Sequence, residues 1–456
     1  MKRKLGVVAL SVMLAASLSA CGSNQTDTNG SSTPGTTSAS PAAAKAEPIV
    51  LKVFTNAPDR TTGQGKAEDY IYAEYMKLHP NVTIKVEALA TAQYGPKLKI
   101  YNASNELPDM FSVWGNEAML TPLISNGALA ELSMDDFKDS GFVKGAFDGF
   151  TKNGKIYGVP GFMDFWFLYY NKKIFADNGV AVPKTQGELM AAVEKFKAQK
   201  IVPIAMQGRE AFSSVMWYDT VLARQTGGFS LTRDIFAGKG TYKGSEVVQA
   251  ATDMQAMIKA GIFGDGFLNN DYGTARNMFG QGKAAMFMMG QWEMSMATDP
   301  NFPEEVRKNM GAIAFPANEK GKGTQAELNV WYGGGLAISN KSKNREAAKD
   351  LLKFFFQPEN WPKYVWQNGI TFPAQNYDKF LTGKETDLQN DITNILKNTT
   401  TFSGYLTDQL TTTATTKLVH DQLQQLEAFK ITPEQFVNAM DEIVKKTAED
   451  KAKTTQ

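Results

Sequence analysis

The sequence predicts an α/β protein built as two lobes with a crevice between them. Three observations carry that expectation. The first ordered segment reads strand, helix, strand, which implies a mostly parallel sheet covered by helices. The same grammar returns around Thr185 to Ala205, after a stretch near Tyr157 to Trp166 where the chain crosses from one unit to the other. Finally, 456 residues with 43% hydrophobic and 21% charged content can bury a large core and divide into two domains or lobes.

The elements follow in order from the amino terminus. Lys2, Arg3 and Lys4 precede an apolar run from Leu5 to Ala20. Spanning a bilayer takes roughly 20 apolar residues, so this shorter run reads as a secretory signal, residues 1–20. Leu18, Ser19 and Ala20 lead into Cys21, the only cysteine, and small residues before a cysteine at this place resemble the lipobox of bacterial lipoproteins. On that resemblance Cys21 is the lipidation site and the mature first residue, carrying a diacylglyceryl group; two acyl chains anchor stably where one does so marginally. From Gly22 to Ala46 the chain is Ser, Thr, Gly, Pro, Ala and Asn with almost no apolar side chains, so residues 21–47 are expected to be a flexible tether. About 25 such residues reach on the order of 25 to 30 Å.

Order begins with the apolar Ile49 to Phe54 strand, a polar loop from Asn56 to Lys66, and a helix near Ala67 to His79 with Ala67, Tyr70, Ile71, Tyr75 and Leu78 on one face. Alternating Val82, Ile84 and Val86 give the next strand, Gln93 to Asn102 a helix, and Leu107 to Trp114 the third strand. Later, Thr185 and Glu188 stand at capping-box spacing before Leu189, Ala192, Val193 and Phe196 at helical period, and Ile201 to Ala205 follows as a strand. Met286, Met288 and Met289 read as strand core, and Trp361 and Trp366 as helix core.

A net charge of +1 without long like-charge runs leaves no electrostatic footprint for nucleic acid, which is excluded as a partner. His79 and His420 are the only histidines and stand in no ligand-spaced cluster, so neither a metal nor a cofactor is expected.

Between Gly154 and Ala205 the chain carries Tyr169, Tyr170, Asn171 and Lys172, a short helix to Gly179, and then Pro183 and Thr185 opening a longer helix. This resembles the signature region of family 1 extracellular solute-binding proteins, the family that includes maltose-binding protein. Further stretches fit in the same order: Leu107, Pro108 and Asp109 before Trp114; Gly282 to Met286 before Gly290 and Trp292; and Gly333 to Gly335 before Ala337, Ile338 and Ser339. The resemblance covers about Ile49 to Phe372. It implies a type II periplasmic-binding fold whose lobes, joined by two or three crossing segments, close over a ligand by hinge motion without catalysis. The expected lobes are 48–162 with 311–360, and 163–310 with 361–456. It further implies a monomer that hands a carbohydrate to the transmembrane subunits of an ABC permease from the outer face of the cell membrane.

A sugar has apolar faces and a hydroxyl rim, so its site needs aromatic platforms and polar side chains at the rim. Trp114 ends the third strand at the place of a sugar-stacking tryptophan of the family, one residue out of register, and Glu117 follows it. Asp164, seven residues before Asn171, matches a ligand-binding carboxylate at the lobe crossing, with Trp166 beside it at the expected mouth. Trp292, after Gly290 and Gln291, matches a stacking tryptophan. Asp59 and Arg60 lie in the first strand-to-helix loop, Arg209 and Glu210 follow the Ile201 to Met206 strand with Phe212 nearby, and Trp331 and Tyr332 precede the glycine turn. The family's carboxy-terminal cleft tryptophan has no clear counterpart, Tyr405 being the nearest aromatic. Two other readings stay open here: a glycosidase using Asp164 and Glu117 as its carboxylate pair, and a binding protein that presents its ligand to a membrane sensor.

Overall fold

A computed structural model of the chain describes residues 47–403 and 406–454; the leader, Cys21, the tether and Tyr405 lie outside them. Among the described residues no helix is long and apolar enough to cross a membrane.

The strands are β1 (Ile49–Thr55), β2 (Val82–Ala88), β3 (Met110–Trp114), the small hairpin β4 (Thr151–Lys152) and β5 (Lys155–Ile156), and β6 (Val159–Pro160). Then follow β7 (Asp164–Asn171), β8 (Val202–Ala205), β9 (Ala284–Gly290), β10 (Met310–Ile313), β11 (Glu327–Trp331), β12 (Gly334–Ile338) and β13 (Thr401–Ser403). One sheet has the order β2-β1-β3-β12-β6, and the other runs β13-β11-β7-β9-β8 with β10 also paired to β7. The first three strands are mutually parallel through β1, as the β-α-β reading requires. The fold is thus two α/β lobes, each with its own sheet.

The helix opening the first lobe spans Gly63–Leu78, and its buried face differs from the expected one in two members. Ala67, Ile71 and Tyr75 are buried as expected, with Tyr72 beside them, but Tyr70 and Leu78 are 45% and 67% exposed. Tyr72 reaches Phe355 from the helix Arg345–Phe355, whereas Tyr70 stacks on Tyr364 at the surface. In the second lobe Thr185 caps the helix Gln186–Ala198 by accepting from Glu188 N at 3.2 Å, while Glu188 Oε2 accepts from Lys184 N. Met286, Met288 and Met289 are core strand residues, and Trp361 and Trp366 are buried.

The lobe membership departs from the expected boundaries in two places. β10 and β11 pair antiparallel with β7 and so belong to the second sheet, although 311–360 was assigned to the first lobe. The helix Trp361–Gln367, expected in the second lobe, instead straddles both: Trp361 stacks on Phe355 in the first lobe's core and its indole N–H donates to Gly161 O at 2.8 Å, while Trp366 packs edge-on to Phe372 in the second lobe's core. A hydrophobic run does not reveal which of two sheets supplies its hydrogen-bonding partner.

Candidate ligand-binding site

Strand direction decides where a site can form. β7 runs into the second lobe from Asp164; β9 and β11 are antiparallel to it and β8 is parallel to β9. The start of β7 and the ends of β8, β9 and β11 therefore share one edge. In the first sheet the ends of β1, β3 and β6 and the start of β12 share another, with Gly334 opposite Trp114 and Gly335 opposite Pro160. Two chain crossings, 161–163 and 332–333, join these edges directly. A third lies beside them: Met163 N donates to Phe372 O at 3.0 Å, and Ala374 N to Gly161 O at 3.2 Å. The crevice outside the carboxyl ends of the strands is where open α/β sheets bind ligands.

The hinge is held by a buried polar node. Asp164 Oδ1 accepts from Gln291 Nε2 at 3.1 Å and Oδ2 from Gly334 N at 3.0 Å. The Gln291 amide also donates to Thr371 Oγ1 at 3.2 Å and accepts from Phe165 N at 3.3 Å. Gln291 thereby ties two of the crossings directly, and Asp164 carries the link to the third through Gly334. Burial pushes the Asp164 pKa up to about 6, against the lowering effect of its bonds from Gly334 and Gln291.

Trp114 stands half-buried at the first-lobe edge, edge-on to Tyr94 at 5.8 Å, with Tyr94 stacked on Phe54. Next to it Asn116 caps the helix Glu117–Ser125 by accepting from Met119 N at 2.9 Å. Glu117 begins that helix, ion-paired to Lys152 and accepting from Thr121 Oγ1. Burial raises its carboxyl, but Lys152 and Thr121 outweigh this and hold it below the usual carboxylate range.

At the second-lobe edge the half-buried Trp292 lies over Gly290, where an added Cβ would sit 2.1 Å from the ring. Its N–H donates to Tyr272 Oη at 2.8 Å. Phe212 lies 6.3 Å from the Tyr272 ring, and the Glu210 carboxyl is pushed up by burial and by neighbouring Asp271. The structure thus gathers Glu210, Phe212 and Trp292 around Tyr272, with exposed Arg209 on the same loop. Trp331 folds over Gly333 in the same way, and Tyr332 packs against core residues of both lobes.

Three expected site residues are engaged elsewhere. Trp166 is 7% exposed in the second lobe's core, its N–H donating to Thr220 Oγ1 at 2.8 Å and its ring edge-on to Phe229, so it is not at the mouth. Strand alternation turns Trp166 toward the helices of the second lobe. Asp59 accepts from Thr61 and Thr62 and shapes the loop, and Arg60 forks between Glu68 and Asp69. Tyr272 and Gln291 were not expected: Tyr272 stands in no run that marks a site, Gln291 was read only as a spacer before Trp292, and each is defined by partners distant in sequence.

The lobes also meet beyond the hinge. A Cβ on Gly63 would lie 3.2 Å from Ser295 Oγ, and Thr413 Oγ1, on the helix Thr413–Glu427, donates to Ala118 O at 2.9 Å. Among the described residues no group of His, Cys, Asp and Glu is placed to hold a metal ion.

Two lobes hinged by three crossings, with aromatic side chains on their facing edges, define a cleft-type binding protein. The chain belongs to the bacterial extracellular solute-binding proteins, whose family model matches residues 71–378. Among curated relatives, the multiple sugar-binding protein of Streptococcus mutans is 23% identical over 313 residues, covering 66% of this chain and 70% of that protein. The galactooligosaccharide-binding protein of Bacillus subtilis is 23% identical over 369 residues, covering 79% of this chain and 78% of the relative. A solved structure from work on xylan utilization by the thermophilic bacterium Caldanaerobius polysaccharolyticus superposes with TM-score 0.79 at 29% identity, covering 86% of this chain and 99% of that one. A chitin oligosaccharide binding protein, 22% identical with TM-score 0.77 and covering 88% of this chain and 99% of its own, shares the fold.

Proposed function

We propose that this extracellular solute-binding protein captures a carbohydrate, an oligosaccharide in particular, by hinge closure and delivers it to the membrane subunits of an ABC importer, anchored through a lipid on Cys21. The carrying observation is the pairing of Trp114 on one sheet edge with Trp292 and Trp331 on the facing edge, across crossings short enough to act as a hinge. Flat rings on both walls suit a pyranose, whose C–H faces stack on aromatics while its hydroxyls bond the rim. The names of the relatives support the same ligand class: sugars in Streptococcus mutans and galactooligosaccharides in Bacillus subtilis.

Binding without cleavage is the favoured chemistry. Asp164 is committed to Gln291 and Gly334, and Glu117 to Lys152, so both carboxylates that a glycosidase would use already hold neighbouring protein groups.

The test is a thermal-shift screen of the unit that begins at Glu47 against xylo-, malto-, galacto- and chito-oligosaccharides. A ligand at 100 times its dissociation constant adds about 2.7 kcal/mol. A shift with one series, and intact sugar recovered afterwards, supports the proposal. No shift with any sugar, together with one from peptides or phosphates, overturns the ligand class and leaves the family standing.

A further inference from the structure

Trp292 is fixed from behind by a chain of polar groups that runs from the partly buried Tyr272 and Arg276 to the buried Glu293 and Asp299. Its indole N–H can only donate, and it donates to Tyr272 Oη at 2.8 Å. The Tyr272 hydroxyl has one proton, and that proton goes to Glu293 Oε1. Glu293 in turn accepts from Arg276 Nε at 2.7 Å through Oε2, and Arg276 Nη2 donates to Asp299 Oδ2 at 2.9 Å. Glu293 and Asp299 are buried, so the guanidinium between them is what makes two interior carboxylates tolerable. Burial and the Glu293 charge hold the Tyr272 phenol well above its usual range, which keeps the proton in place. Every donor and acceptor in the chain therefore has one possible direction. The indole is thus held at two points, its six-membered ring close against Gly290 and its N–H edge tied to Tyr272.

We propose that Tyr272, backed by Glu293, Arg276 and Asp299, is the positioning residue that aims the Trp292 platform at the ligand. A free tryptophan on a cleft wall loses rotamer entropy when a sugar stacks on it; one already fixed does not. The proposal rests on the carbohydrate reading for its ligand, but not for its geometry.

Tyr272→Phe keeps the ring and its contact with Phe212 and removes only the hydroxyl. In the ligand-free protein the Trp292 indole N–H, assigned by its absence in Trp292→Phe, is expected to exchange with solvent several-fold faster in Tyr272→Phe. Xylotriose affinity, measured by calorimetry, is expected to fall about two- to tenfold, the value of one hydrogen bond. In a Trp292→Ala background the same change is expected to do nothing further, which a general structural role would not produce. Unchanged exchange in a Tyr272→Phe protein that melts as the wild type does overturns the proposal, as does an affinity loss that persists without Trp292. If Tyr272→Phe melts low, Arg276→Lys is read by the same exchange criterion. If xylotriose fails to bind the wild type, that choice of sugar falls while the exchange result still decides the positioning role.

Discussion

At the residue scale the two walls of the cleft use different means to hold their aromatic groups. Trp114 is braced by other rings, Tyr94 and beyond it Phe54, whereas Trp292 is braced by hydrogen bonds through Tyr272. Glycine makes both Trp292 and Trp331 possible, since a side chain at 290 or 333 would occupy the space of the indole. Trp292→Ala is expected to weaken carbohydrate binding by about 1 to 3 kcal/mol, roughly 5- to 150-fold, with an unchanged melting temperature. Calorimetry with the sugar from the screen checks this; undiminished affinity would remove Trp292 from the site. Trp292 was legible in the sequence because it ends an apolar strand run after a glycine. Tyr272 was not, because its role depends on a partner 20 residues away across the end of a strand.

At the element scale the second lobe is clamped by its carboxy-terminal helices. Asp219, on the helix Ala211–Thr226, accepts from the Thr407 backbone at 2.7 Å and from its hydroxyl at 2.6 Å. On the same helix Ser214 donates to Glu427 Oε2 at 2.8 Å. Burial pushes Glu427 up to about 8, against the bond from Ser214, and Asp219 up to about 7, against its bonds from Thr407. Between the ordinary carboxylate value of 4.5 and about 8 the folded protein keeps a proton on Glu427 that the unfolded chain has released. Stability must therefore fall as pH rises through that window, by up to about 1.4 kcal/mol per pH unit for one such group. Glu427→Gln keeps the shape and removes this dependence. Denaturant unfolding from pH 5 to pH 8.5 should show the variant gaining on the wild type as pH rises. A constant gap would mean that Glu427 does not titrate in this window.

At the scale of the whole molecule, three crossings side by side allow rotation but resist shear, and Gln291 and Asp164 together link them, Gln291 standing next to Trp292. Sugar binding is expected to lower the radius of gyration measured by small-angle scattering, because contacts on both walls are satisfied together only when the cleft is closed. An unchanged radius at saturating sugar would place the binding site on one lobe alone. The proposed anchor is tested separately: Cys21→Ser should move the protein from the membrane fraction to the medium and abolish palmitate labelling. Continued membrane association would assign the attachment to another part of the chain.

By itself the sequence determined the α/β class, the two-lobe plan, the crossing near Tyr157 to Trp166 and the family, because these follow from local periodicity and from strings of neighbouring residues. The helix face with Tyr72 in place of Tyr70, the membership of β10 and β11 in the second sheet, and the burial of Trp166 were decided only by the tertiary structure. Each depends on which distant surface a segment meets: Phe355 for Tyr72, β7 for the two strands, Thr220 for the indole N–H of Trp166. Periodicity shows that a residue has an apolar or polar face, and only packing shows what that face touches.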